Sequence, residues 1–350
     1  ELGTDPQSCD FLDTTVCLQP FANDYYTVDD SSTPTGKKLN IADDATPANR
    51  NGVHIDPTDM NRGDGFSPGN MIVLKIPGLE TPAAFDNSNL VPLSDLHAYD
   101  DPNQSVMVID AATGERHPIW AELDSNPTTV DPSDEGDGGI NTNPSNTADV
   151  NLILRPAENF EHSKRYIVVF RNLKDADNNT IPAPPAFRTY RDQIVTKQNV
   201  VEKRRSHMNS VIKAAVNKAG VKRSSMYMAW DFTVASAEST TGRALDIRDD
   251  AFARLGDNNL ANRVIEGASP EIQIDYVCDR YEGLSAGCRN GPSAPSPDNR
   301  PGLPGSDTIR IIDGQLKNVP CYLNVDGCGP GATFDHNTDG SITWNPAYTM

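Results

Sequence analysis

Ser225-Met-Tyr-Met-Ala-Trp-Asp-Phe-Thr-Val-Ala-Ser236 is a run of aromatic, β-branched and apolar residues lying between two stretches of helical pattern. Such side chains favour the pleated, buried surface of a strand. Before it, Val201 to Ala219 places Met208, Val211, Ile212, Ala215, Val216 and Ala219 on one helical stripe, and Gly220 closes the helix. After it, Ser236 or Ser239 caps a second helix running to about Leu255, with Gly256 beyond. That helix is expected to turn Leu245, Phe252 and Leu255 toward the core. A buried Trp230-Asp231-Phe232 strand between helices marks a joint where a helical unit meets a β core. Asp231 has no nucleophile or base near it in sequence, which points to a structural role.

Working outward, the chain is built of short strands and turns. Met71 to Ile76 is an apolar run of strand length. Val106 to Asp110 is another, and Glu115 to Trp120 returns from it, a hairpin in which Gly114 supplies the positive φ. Residues 126–147 are too polar to bury a core and read as a long exposed loop. Strands resume at Val150–Leu154 and Tyr166–Phe170, and the Asp-Asn-Asn turn at 177–179 sends the chain back at Ile181. Beyond Val264, strands are expected at Ile272–Val277, Ile309–Ile312 and Val319–Val325, with a Pro/Gly/Ser-rich loop at 287–307. The fold class is therefore α+β, mainly β with a helical insertion, its core a sandwich of short strands. The division expected is an extended N-terminal segment at 1–60, a sandwich at 61–190, a helix-strand-helix unit at 191–262 and a β-rich segment at 263–350.

A chain of 350 residues is long enough for two or three modules, and 37% hydrophobic residues suffices for a core. There are 49 acidic residues against 30 basic ones, a net charge of −19. That balance argues against nucleic-acid binding and against docking on anionic membranes. Solubility is the ordinary reading of the acidity, and calcium binding or a saline habitat the alternatives. No stretch approaches the ~18 apolar residues of a membrane span. The first residue, Glu1, is not an initiator methionine, so a processed N-terminus is expected. Six cysteines fall into three local pairs: Cys9 with Cys17, Cys278 with Cys288, and Cys321 with Cys328. None has the C-x-x-C spacing of a metal site. Three short-loop disulfides and an oxidising compartment are expected, with reduced, buried thiols as the alternative.

Two resemblances to known families emerge. Leu154-Arg-Pro, Tyr166-Ile-Val-Val-Phe170, Leu173-Lys-Asp-Ala-Asp-Asn-Asn-Thr-Ile181 and Phe187 resemble the last hairpin of bacterial Ig-like domains, with Asn178 in place of the usual turn glycine. Asp64-Gly-Phe-Ser-Pro-Gly69, Thr113 to Leu123, Ala229 to Ser236 and Arg248-Asp-Asp-Ala-Phe252 look like the N-terminal region of a family of large secreted bacterial proteins. In that family an α/β-hydrolase domain, esterase- or lipase-like, follows. The resemblance implies an Ig-like, non-catalytic region that packs against a serine hydrolase domain or chain. The sequence stops at Met350, about where that domain would begin, and carries no oxyanion-loop motif.

Candidate chemistry is sparse. Gly283-Leu-Ser-Ala-Gly287 is formally a G-x-S-x-G, but Cys278 and Cys288 bracket it and Arg-Asn-Gly-Pro follows. A nucleophile elbow needs a strand before the serine and a helix after it. Ser285 therefore reads as a turn inside a disulfide loop, with a nucleophile as the minor alternative. Asp335-His-Asn-Thr-Asp-Gly-Ser-Ile342 matches the first half of a calcium loop, with Asp335, Asn337 and Asp339 as oxygen ligands and Gly340 at the bend. The closing glutamate position is Pro346, so a β-hairpin turn competes with calcium; Asp175 and Asp177 face the same choice. The six histidines show no i, i+4 metal pair, and His207, with Lys203, Arg204 and Arg205, reads as a solvated basic face, with a partner-docking face as the functional alternative. Asp249 and Asp250 sit on a helix surface without a catalytic role. Two functions are carried forward: the accessory region of a secreted hydrolase, and a stand-alone extracellular binding or assembly module, calcium-stabilised in one version.

Overall fold

The computed structural model describes residues 8–12, 16–49, 51–124, 129–130, 140–141, 150–279, 310–317, 319, 321–324, 332–337 and 342–343. The chain divides into two compact units, Glu1–Thr240 and Thr241–Met350. Their elements in chain order are β1 (Thr27–Asp29), β2 (Lys37–Leu39), β3 (Ile72–Leu74), α1 (Pro82–Asn87), β4 (Val106–Asp110), β5 (Ile119–Leu123), β6 (Thr129–Val130) and β7 (Ile140–Asn141). There follow β8 (Leu152–Pro156), β9 (Arg165–Arg171), α2 (Pro185–Arg191), α3 (Asn199–Ala219), β10 (Met226–Thr233), α4 (Ala237–Leu255), β11 (Glu271–Asp279) and β12 (Arg310–Lys317). Small antiparallel sheets combined with helices make the fold α+β, as the sequence pattern indicates.

The first unit is built on two three-stranded sheets, ordered β10-β9-β4 and β3-β8-β5. All eight residues of β10 are buried, and it pairs antiparallel with β9, Trp230 opposite Val168 and Asp231 opposite Ile167. Helix α3 packs on β9 and β10, burying Val201, Met208, Val211, Ile212 and Ala215. Gly220 ends it in the left-handed conformation, φ 65°, which glycine adopts without a Cβ penalty. Trp230 is fully buried, stacks on Phe170 with centroids 6.0 Å apart, and donates from Nε1 to the Ala22 carbonyl at 2.8 Å. The joint between helices and β core is thus closed by one aromatic whose polar handle is satisfied.

The N-terminal segment is fastened across this joint. The Cys9–Cys17 disulfide is formed, and Asp10, Phe11 and Leu12 within its ring are buried. A second strap, Asp64–Phe66, runs parallel to the end of β10: Phe66 N–H donates to the Thr233 carbonyl at 2.9 Å, and Ala235 N–H donates to the Phe66 carbonyl at 2.8 Å. The backbones approach so closely at Gly65 that a Cβ would lie 2.7 Å from Ala235 N and Thr233 O. The Asp64 carboxylate accepts from Ser236 N–H at 2.9 Å, and Ser236 Oγ accepts from Ser239 N–H at 3.0 Å, so Ser236 caps α4.

Several expectations are corrected. The turn after β4 forms, with Gly114 at φ 83° and Asp110 N–H bonded to the Glu115 carbonyl. The strands do not stay paired, however: beyond the Ile109–Arg116 bridge, β4 joins β9 while β5 joins β8 in the other sheet. Both strands have an apolar neighbour available, so the turn serves as a sheet-crossing corner. Asn178 takes the positive φ of a turn glycine, 63°, but Ile181 begins no strand; the return is a single Lys174–Thr180 bridge, and Phe187 falls in α2. No residue of α4 is buried: Leu245 and Phe252 are exposed and Leu255 is half-buried. The positions three and four residues after Leu245 are Arg248 and Asp249, which break the apolar stripe a core-facing helix needs.

In the second unit β11 and β12 pair as a two-stranded antiparallel ribbon, Ile272 opposite Leu316. The strand expected at Val319–Val325 is reduced, among the described residues, to a Leu323–Phe334 bridge. Pro320 has no N–H to give a ladder. Among the described residues no helix is long and apolar enough to cross a membrane.

Candidate functional site

The residue types that carry chemistry converge on one face of the opening motif. Asp231, buried on β10, accepts a hydrogen bond from His207 Nε2 at 2.7 Å on one oxygen and from Arg165 Nη1 at 3.0 Å on the other. The register explains Arg165: it opposes Thr233 on β9, one diagonal step from Asp231 on the same face. His207 reaches across from α3. One turn earlier on that helix, Arg204 forms a bidentate pair with Asp10, at 2.5 and 2.9 Å. Asp10, buried within the disulfide ring, also accepts from Asn23 Nδ2 at 2.7 Å and from Leu12 N–H at 2.9 Å. The Arg204 guanidinium lies over the rings of Tyr25 and Phe11, 4.9 and 5.5 Å from their centroids. His207 and Arg204 are therefore not members of a solvated basic face; the Arg204 side chain is only 12% exposed and His207 half-exposed.

A third carboxylate completes the cluster. Asp24 accepts from Thr233 N–H at 2.7 Å and from Thr233 Oγ1 at 2.6 Å. Burial, and then repulsion from Asp231, push its pKa up to about 6, with Thr233 and Lys37 acting against them. For Asp231 burial also acts upward, but the His207 hydrogen bond and the charges of His207, Arg165 and Arg204 outweigh it and hold the carboxyl below the usual range. Two neighbouring acids are thus driven apart in pKa because only one of them has cationic partners in contact.

A half-exposed imidazole oriented by a buried carboxylate is the base-and-orienter portion of a hydrolytic triad. Among the described residues the only hydroxyl bonded to His207 is Ser210 Oγ, which donates to its backbone carbonyl at 2.7 Å and not to the ring. What the geometry does accomplish is mechanical. It clasps the disulfide ring, the 23–26 turn, α3 and β10 together through charge-assisted hydrogen bonds to buried carboxylates.

The residues singled out from sequence are scattered. Ser285, Asp339, Cys288 and Cys328 lie outside the described residues, as do the side chain of Cys278 and nearly all of the loops at 126–147 and 287–307. Asp335 and Asn337 lie in a short antiparallel return, with a His336–Ile342 bridge and Thr343 N–H donating to the Asp335 carbonyl at 3.0 Å. Among the described residues no cluster of three His, Cys, Asp or Glu side chains could hold a metal. Asp175 accepts from the amides of Asp177 and Asn179 at 3.0 and 2.8 Å, which makes it an Asx turn. Asp250 accepts from Tyr322 Oη at 2.8 Å and pairs with Arg254 at 2.6 Å. Sequence reasoning missed the clasp, although one signal was present: Arg204 sits between Val201 and Met208 on the apolar stripe of α3. Comparison with protein-family profiles, with curated proteins and with solved structures gave no match.

Proposed function

We infer that this chain is the non-catalytic, accessory region of a secreted hydrolase-associated protein, an Ig-like module that packs against an esterase- or lipase-like catalytic domain or chain. The observation that carries this reading is what the resembling motifs do here. Asp64–Gly69 and Ala229–Ser236 dock on each other, through the Phe66–Val234 bridge and the Asp64–Ser236 hydrogen bond. They are joinery rather than a catalytic constellation, as an accessory region requires. The Cys9–Cys17 bridge supports an oxidising compartment and hence secretion. The sheets β10-β9-β4 and β3-β8-β5, which contribute to one continuous core, support the sandwich part of the reading.

The test is intact mass spectrometry and a serine-hydrolase activity probe applied to the protein isolated from its native source. The expected result is a species in which these residues are covalently continuous, or co-purify, with a probe-labelled hydrolase. A lone, unlabelled species near 38.0 kDa would overturn it.

A further inference from the structure

A cavity of about 320 Å³ opens in the first unit between the end of α2, the turn entering β10 and the strap 180–183. That volume lies at the small end of the ~300–1,000 Å³ typical of small-molecule sites. Its walls are of two kinds. Pro182 and the edges of Ile181 and Ala183 give an apolar side, while Arg188, Ser224 and Asn172 give a polar one.

The charge around it runs against the rest of the chain. Arg188, Arg191 and Arg223 surround a single carboxylate, Asp192, in a protein of net charge −19. Two of the three guanidinium groups are fully employed. Arg191 grips Asp192 at 2.7 and 3.0 Å and donates to the Met226 carbonyl at 3.0 Å. Arg223 donates to the carbonyls of Arg191 and Tyr190, at 2.5 and 2.9 Å. Arg188 is different: it is exposed at the cavity wall, and no acceptor for its guanidinium is found among the described residues. Its field reaches Asp192, whose carboxyl is held below the usual range by the Arg191 hydrogen bond first and by the charges of Arg191, Arg188 and Arg223 behind it.

We propose that this cavity binds a small organic carboxylate, its anionic end paired with Arg188 and its apolar body against Pro182 and the exposed edges of Ile181 and Ala183. One unengaged guanidinium matches one carboxylate, the partner whose two oxygens fit its planar fork. The surplus positive charge that Asp192 leaves unneutralised favours an anion over a neutral ligand of the same shape. The employed arginines fix the walls, since Arg191 ties α2 to β10 and Arg223 ties the turn to α2. The site is therefore preformed, and binding need not order it.

The experiment uses the whole chain, isotopically labelled, titrated with 3-phenylpropionate and, in parallel, with uncharged 3-phenylpropanol. The carboxylate should move the amide resonances of Asn172, Ser224 and Ser225. The alcohol should bind more weakly by about tenfold or more, the worth of one charge-assisted hydrogen bond. Arg188→Gln should lose the same factor while keeping the wild-type circular dichroism and melting temperature, because the Arg188 guanidinium makes no hydrogen bond among the described residues and Asp192 keeps its contact with Arg191. Equal affinity for the two probes, undiminished binding by Arg188→Gln, shifts confined to other parts of the chain, or no shifts at millimolar probe would each overturn the proposal.

Discussion

Replacing Asp24 by asparagine should make the protein more stable at alkaline pH, which is unusual for loss of a buried, doubly hydrogen-bonded carboxylate. Asp24 is buried beside Asp231 and has a pKa of about 6 where an unfolded chain would have 3.8. The folded state therefore binds this proton more tightly than the unfolded one. The contribution of the group to stability is fully present below pH 3.8 and is lost as the pH rises through about 6. The difference of roughly 2 pH units corresponds, at about 1.4 kcal/mol each, to about 3 kcal/mol carried as strain by the ionised form at pH 8. Asparagine keeps the hydrogen bonds, Oδ1 accepting from Thr233 N–H and Nδ2 donating to Thr233 Oγ1, and removes the charge that repels Asp231. The expectation is that Asp24→Asn stabilises by up to about 3 kcal/mol at pH 8 and changes little at pH 4, measured by urea denaturation followed by far-ultraviolet circular dichroism. A variant destabilised at pH 8, or stabilised equally at both pH values, would refute the electrostatic account of the pair.

Other consequences follow from the same contacts. Arg204→Ala should destabilise by about 3–5 kcal/mol, because Asp10 would be left buried without its cation; adding Asp10→Asn should recover part of the loss, and a double-mutant cycle measures it. Gly65→Ala should cost about 1–3 kcal/mol, since the new Cβ meets backbone atoms 2.7 Å away that cannot yield as a side-chain tip would; a wild-type melting temperature would disprove the close docking of the strap. The Asp335–Thr343 return closes through a backbone hydrogen bond that needs no metal. The melting temperature should accordingly be the same in chelator and in millimolar calcium, and a rise with calcium would restore the ion-binding reading of Asp335, Asn337 and Asp339.

What could be read from sequence was whatever depends on a local period. The stripe on α3, the buried β10, the Gly220 cap and the left-handed Asn178 turn are each set by residues within one or two turns of themselves. What could not be read depends on partners distant along the chain. The turn at Gly114 has hairpin chemistry, yet β4 and β5 become edge strands of different sheets, paired with β9 and β8, partners that lie far along the chain. His207 looked solvated because its neighbours Lys203, Arg204 and Arg205 are charged, and Asp231 looked isolated because its partners are 24 and 66 residues away. The misplaced His207 and the unseen partners of Asp231 have a common origin. A charge on an apolar stripe is tolerated only when a counter-charge meets it, so Arg204 between Val201 and Met208 implied a buried acid somewhere in the chain, and Asp231 within a buried, mostly apolar strand implied a cationic partner. Neither anomaly names its partner. The fold resolves them through two adjacent contacts on α3: Arg204 pairs with Asp10, and one turn later His207 hydrogen-bonds Asp231, whose other oxygen pairs with Arg165 of β9. The opening motif is thus as much an electrostatic joint as an apolar one, and that gives the disulfide-closed N-terminal ring a defined seat on it.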